Sequence, residues 1–230
     1  ILAVNDPGDT RAIAVRLIGE SNTRVRTQIA DALAHDPTNA RWAVQAYSNL
    51  MDAVVGAVFH VATHHLHPRP NPTEAERIAI VAVGGYGRAE MAPHSDVDLL
   101  FLLPWKATGW IESVIESMLY MFWDMHLKVG HATRSVAENI RLAREDTTIR
   151  TALLEHRPLF GNRALTKSLK DKLWSELFRN TGPAYIEAKL EERSARHERQ
   201  GGQRYVVEPN IKEGKGGLRD LQTLYWIAKY

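Results

Sequence analysis

The sequence predicts an α+β fold: a small mixed β-sheet with flanking helices, preceded by a helical N-terminal region and followed by a C-terminal helical domain. Three observations predict it. Apolar residues recur at helical spacing through the first third. Two short apolar runs, Ile78 to Val83 and Asp96 to Leu103, then read as buried strands. From Asp146 onward the pattern is mostly helical again. The implied boundaries are a helical region over 1–70, a core over 75–160 and a helical domain over 161–230.

The first helix rests on Ile13, Leu17, Val25 and Ile29, which share one face between Ala12 and Leu33. Pro37 breaks it, and Asn39 to His65 resumes with Trp42, Ala46, Leu50, Val54 and Val58. Pro68, Pro70 and Pro72 make His67 to Thr73 an extended linker. The first strand, Ile78 to Val83, ends in Gly84, and the second ends at Pro104. Thr108 to Leu127 carries a long helical pattern. Lys128 to Arg134 is expected as a third strand, closed by a Ser135 cap. Asp146 to His156, Asn162 to Phe178 and Pro183 to Gln200 read as helices, with Asp146, Asn162 and Thr181 as caps or cap neighbours. Tyr205 to Asp220 is glycine-rich and polar. Leu218 to Tyr230 reads as a helix without a C-terminal cap, from which a fragment of a longer chain is expected.

The chemistry concentrates in one segment: Val83-Gly84-Gly85-Tyr86-Gly87-Arg88-Ala89-Glu90, then Pro93-His94-Ser95-Asp96-Val97-Asp98. A strand ends in glycines, and the next strand opens with two aspartates. On a strand, side chains at i and i+2 share a face, roughly 6–7 Å apart. Carboxylates so placed can share divalent cations, which in two-metal sites lie about 3.5–4 Å apart and stabilise the attacking and leaving oxygens of an in-line displacement. Magnesium suits hard oxygen ligands and keeps positions open for substrate phosphates. Gly84, Gly85 and Gly87 let backbone N–H groups approach a phosphate chain, and Arg88 supplies a donor fork. Two charges opening an otherwise apolar strand are costly to bury without cations. Together the parts describe nucleotidyl transfer.

This stretch resembles the signature of the polymerase-β-like nucleotidyltransferase superfamily and, more narrowly, of the bacterial PII uridylyltransferase/uridylyl-removing enzymes. The block from Glu208 to Gln222 supports the narrower likeness, as do Val129 to Arg134 and Asp146 to Thr151; the likeness covers roughly residues 75–230. It implies that Asp96 and Asp98 bind Mg2+ and that Gly84, Gly85 and Arg88 hold the triphosphate of UTP. It further implies transfer of UMP to a tyrosine hydroxyl of the PII signal protein in nitrogen regulation. A downstream hydrolase and glutamine-binding regulatory domains would lie beyond Tyr230. Within the Glu208 to Asp220 block, Lys212, Lys215 and Arg219 could meet phosphates, or the block could be a loop held by internal salt bridges. Ala89 stands where that family usually has glycine, and Lys215 where proline is common. The superfamily often adds a third carboxylate. The third strand offers none, and Asp146 and Glu138 are candidates by chemistry only. An adenylyltransferase of the same superfamily is the near alternative, and a non-catalytic nucleotide-binding or interaction module the more distant one.

Other features are quieter. His60 and His64 have the i, i+4 spacing of a helical metal pair, but histidines near a helix C-terminus are also favoured by its dipole. His131 could reach substrate or be structural. Trp105, Trp110 and Trp123 read as packing residues, and Glu187 to Arg199 as a solvated helix face. A net charge of +2 argues against a nucleic-acid binder. The absence of cysteine excludes disulfides, thiolate metal sites and cysteine nucleophiles. No signal peptide or apolar run long enough for a membrane span is present, so a cytoplasmic enzyme is expected.

Overall fold

The computed structural model describes residues 6–71, 73–199 and 210–230. Pro72 of the linker, and Glu208 and Pro209 of the downstream block with the stretch leading to them from Tyr205, lie outside the described residues. The chain divides into two compact units. One comprises Ile1–Glu138 with Glu155–Ser168, the other Asn139–Leu154 with Leu169–Tyr230. Among the described residues no helix is long and apolar enough to cross a membrane.

The first unit opens with α1 (Pro7–His35), started by an Asp6 cap and Pro7 in the first turn. A short turn over Pro37–Asn39 leads into α2 (Ala40–Val61), whose buried stripe is Ala43, Tyr47, Met51, Val54, Val55 and Val58. The pattern that predicted helix as far as His65 ends in a wider turn over Ala62–Leu66, closed by the His67 N–H on the Ala62 carbonyl at 2.9 Å. The linker then ties back to the body: the His67 carbonyl accepts the Trp110 indole N–H at 2.9 Å.

Next come β1 (Ala79–Ala82), the single turn α3 (Gly84–Gly87), β2 (Val97–Leu103), α4 (Gly109–Asp124) and β3 (Val129–Ser135). The later elements are α5 (Val136–Glu145), α6 (Thr147–Leu154), β4 (Arg157–Gly161) and α7 (Arg163–Lys172). The sheet is mixed, with strand order β3-β2-β1-β4. β2 runs parallel to β3 and β1 antiparallel to both β2 and β4. A parallel neighbour needs a crossover, and α4 provides it. Val97, Leu99, Phe101 and Leu103 of β2 join Ile80 and Ala82 in one apolar cluster with α1, α2 and α4. Each such fully buried large side chain contributes about 1.5–3 kcal/mol relative to exposure.

β4 was not expected from sequence. Pro158 and Arg157 hide its strand pattern, and both are tolerable because β4 is an edge strand, where a missing N–H costs no ladder bond. Its pairing with β1 carries a register irregularity between Ile80 and Val81.

In the second unit α6, α8 (Gly182–Arg199) and α9 (Leu218–Lys229) pack on one another. Tyr185 stacks on Tyr230 with ring centroids 3.9 Å apart and shares a hydrogen bond with Thr151 at 3.0 Å. Lys189, only 2% exposed, keeps its ammonium 4.6 Å from the Trp226 ring and paired with Glu192 at 2.6 Å. Asp146 and Asn162 cap as expected, their side chains accepting N–H groups of Thr148 and Ala164. Thr181 stands at the N-cap position of α8, its carbonyl accepting the Tyr185 N–H at 3.0 Å, but its hydroxyl donates back to the Leu177 carbonyl at 2.6 Å instead of capping.

Candidate active site

Antiparallel pairing sets the end of β1 against the beginning of β2, with Ala82 opposite Leu99. The ladder extends one bond further, from the Val83 N–H to the Asp98 carbonyl at 3.1 Å. The glycine turn α3, which leaves β1 at that point, therefore begins beside Asp98. Asp96 precedes β2 and is exposed, while Asp98 lies within it and is half-buried.

Gly84 takes φ +60°, a left-handed conformation that glycine adopts without strain. A Cβ there would come within 3.4 Å of an Asp98 carboxylate oxygen. Gly87 answers a different demand, because a Cβ would sit 1.9 Å from the Glu155 carbonyl oxygen. Gly85 meets no such obstacle. The turn closes with the Ala89 N–H on the Tyr86 carbonyl and the Glu90 N–H on the Gly85 carbonyl, both at 3.1 Å. This double closure places its last residue in the left-handed region. That residue is Ala89, at φ +58°.

Arg88 is held rather than extended. Its Nη1 donates to both Glu155 carboxylate oxygens at 2.8 and 2.7 Å, and its Nε to Glu90 at 2.8 Å. The remaining Nη2 faces Gly85, 3.6 Å from where a Cβ on that residue would lie. Arg88 thus braces the turn and presents one terminal nitrogen to it.

A second brace comes from α2. Asp52 accepts the Tyr86 hydroxyl at 2.7 Å and two Arg157 nitrogens at 2.7 and 3.0 Å. Arg157 also donates to the Tyr86 carbonyl at 3.2 Å. Burial first, then the adjacent Asp52 charge, push the Tyr86 phenol far above its usual range, so it stays a neutral donor. The loop between turn and aspartates is pinned as well: Ser48 accepts the Met91 N–H at 3.2 Å, and Arg26 donates to the Pro93 carbonyl.

Burial, and then the neighbouring Asp96 charge, raise the Asp98 carboxyl above the usual carboxylate range. Among the described residues no hydrogen bond or ion pair compensates it. Two hard oxygen donors, one of them desolvated, fit a divalent cation such as Mg2+. Neither candidate third carboxylate is idle. Glu138 accepts the Ser135 N–H at 2.7 Å in a reciprocal cap, and Asp146 caps α6. Among the described residues no group of three or more metal-ligating side chains is assembled, His60 and His64 included. Those two rings instead stack on each other at 4.3 Å.

The downstream cations sit in the second unit. Lys212 and Lys215 are exposed. Arg219 donates to Gln222 at 2.8 Å and pairs with Glu213 at 3.5 Å. Burial opposes ionisation of Asp220, but the Gly216 N–H, His197 and Arg196 outweigh it and hold that carboxyl below its usual range. Internal salt bridges are thus a prominent feature of this block. Of the tryptophans read as packing residues, Trp105 and Trp123 are about half exposed, at 52% and 47%.

Sequence reasoning missed Asp52, Ser48, Arg157 and Glu155. The available signal was a polar pair at i, i+4, Ser48 and Asp52, running along the apolar stripe of α2.

Comparison with known proteins bears on this arrangement. The chain is 62% identical over 225 residues to the bifunctional uridylyltransferase/uridylyl-removing enzyme of Cereibacter sphaeroides, which covers 98% of this chain and 24% of that protein. The enzymes of the same name from Ruegeria pomeroyi and Rhodospirillum rubrum are 57% identical over 225 residues and 61% over 183. They cover 98% and 80% of this chain, and 25% and 20% of those proteins. The chain belongs to the bifunctional uridylyltransferase/uridylyl-removing enzyme family. It spans about a quarter or less of the length of these relatives. The family model for GlnD PII-uridylyltransferase matches residues 184–230, and that for glutamate-ammonia ligase adenylyltransferase matches residues 4–118.

Ala89 offers a direct test of the turn. An alanine in the left-handed region costs roughly 1–2 kcal/mol, part of which glycine returns as unfolded-state entropy. Ala89→Gly is expected to raise stability by about 1 kcal/mol in urea unfolding; a loss of stability would contradict the turn geometry.

Proposed function

We propose that this chain carries out magnesium-dependent transfer of UMP from UTP to a tyrosine hydroxyl of the PII signal protein, releasing pyrophosphate. The observation that carries the reading is the juxtaposition of the Asp96/Asp98 pair with the glycine turn, fixed by the β1–β2 ladder. The names of its relatives support the uridylyl group, and the name of the model matching residues 184–230 supports the acceptor.

In this scheme Asp96 and Asp98 hold Mg2+, which would supply positive charge to the triphosphate and to the developing charge at the α-phosphorus. Gly84 and Gly85 bring backbone donors to the phosphates, with Arg88 stiffening the turn and offering Nη2. Gly87, expected from sequence to donate as well, has its N–H bonded to the Val83 carbonyl at 3.0 Å and serves the turn's packing instead. The tyrosine oxygen bonds to the α-phosphorus and gives up its proton. The bond from that phosphorus to the β-phosphate bridging oxygen breaks, and pyrophosphate leaves. Adenylyl transfer is the second reading, favoured by the adenylyltransferase model, whose match over 4–118 contains the whole aspartate–glycine arrangement.

Asp98 separates function from stability. A carboxyl whose affinity for protons is raised by folding costs no stability below its ordinary pKa, and the cost accumulates as pH rises from there through the raised value. The metal-free protein should therefore lose stability as pH rises through that range, and Asp98→Asn should lack this slope. In EDTA at neutral pH, calorimetry should show Asp98→Asn melting no lower than the unsubstituted chain. Mg2+ should raise the melting temperature of the latter alone; an equal Mg2+ shift in both would place the metal elsewhere.

Activity is tested by incubating the chain with Mg2+, UTP or ATP, and a bacterial PII protein, then weighing the intact PII. The expected result is a gain of one uridylyl group per subunit, absent with Asp96→Ala. Adenylyl gain would favour the second reading. No gain of either with nucleotide still bound would favour a binding module.

A further inference from the structure

We propose that Gly130 is a positioning residue for the metal-binding carboxylates: the space left by its missing side chain is the space that the Asp98 carboxylate occupies. The inference rests on the reading of Asp96 and Asp98 as metal ligands and adds a residue to it.

β2 and β3 are parallel, and their register sets Asp98 opposite Gly130. Directly paired residues on neighbouring strands present their side chains on the same face, close enough to touch. A Cβ at position 130 would lie 2.5 Å from one Asp98 carboxylate oxygen and 3.7 Å from its Cγ. On the other flank a Cβ at Gly84 would lie 3.4 Å from the second oxygen. The carboxylate is thus bracketed by two residues without side chains, one from the glycine turn and one from the adjacent strand.

The two glycines differ in what else they do. Gly84 needs its left-handed backbone, whereas Gly130 does not have a positive φ. Gly130 sits in the interior of an edge strand, where glycine weakens pairing and packs nothing. Conformation gives no reason for glycine there; the Asp98 carboxylate does. Alanine would drive one oxygen out of its place, toward Gly84 or off its rotamer. Magnesium tolerates such displacement poorly, because it demands near-octahedral geometry at about 2.0–2.1 Å. The same contact removes position 130 as a source of a third carboxylate, although it is the residue in register with Asp98.

The test is Gly130→Ala in the full chain, with Mn2+ binding followed by electron paramagnetic resonance and stability measured in EDTA. Gly109→Ala serves as the control, since nothing lies within 4 Å of a Cβ at that position. Gly130→Ala is expected to weaken Mn2+ binding by about tenfold or more, with an EDTA melting temperature equal to or above that of the unsubstituted chain. Gly109→Ala is expected to bind Mn2+ normally. Unchanged Mn2+ affinity in Gly130→Ala overturns the proposal. So does a melting temperature that falls along with the affinity, which would make Gly130 a general structural glycine. If the unsubstituted chain binds no Mn2+, the carboxylate-pair reading itself fails, and the proposal fails with it.

Discussion

The Val83 N–H bonded to the Asp98 carbonyl is the contact on which the candidate site depends. It extends the β1–β2 ladder to the point where one strand becomes the glycine turn and the other still carries acidic residues. Ala82 and Leu99 are distant in sequence but opposite in space, because antiparallel strands return the chain to where it left. β3, running parallel to β2, brings Gly130 to the same level from the other side.

Such a site opposes stability locally. Asp98 is desolvated and near a like charge, with no compensating partner among the described residues. Around it, the neighbouring groups are tightly satisfied: Arg88 with Glu155 and Glu90, and Asp52 with Tyr86 and Arg157. The N-terminal helices do more than cover the sheet. Through Arg26, Ser48 and Asp52 they hold the turn and the loop leading to Asp96. A rigid frame around one uncompensated carboxylate pair is what preorganised cation binding requires.

Sequence made the central strands and the glycine–aspartate order legible because both follow short-range rules: apolar runs for buried strands, glycines for tight backbone. β4 was illegible because an edge strand tolerates Pro158 and Arg157, which look like loop residues. The braces were illegible for another reason. Asp52, Arg157 and Glu155 act through contacts across 34 to 105 positions of chain, which no local pattern encodes. Arg88 shows the limit of motif reading. A phosphate-binding fork was expected, but Glu155 and Glu90 occupy most of its donors, leaving one nitrogen toward the turn. Ala89 shows its strength, since the departure from the usual glycine falls on a residue with positive φ.

The most direct test of the central claim is a crystal structure of this chain with Mn2+ and a non-hydrolysable UTP analogue, using the anomalous signal to locate the metal. Manganese is expected to be bound by Asp96 and Asp98, with the triphosphate lying along the backbone of Gly84 to Gly87. Manganese at other residues, or a triphosphate bound away from the glycine turn, would contradict it.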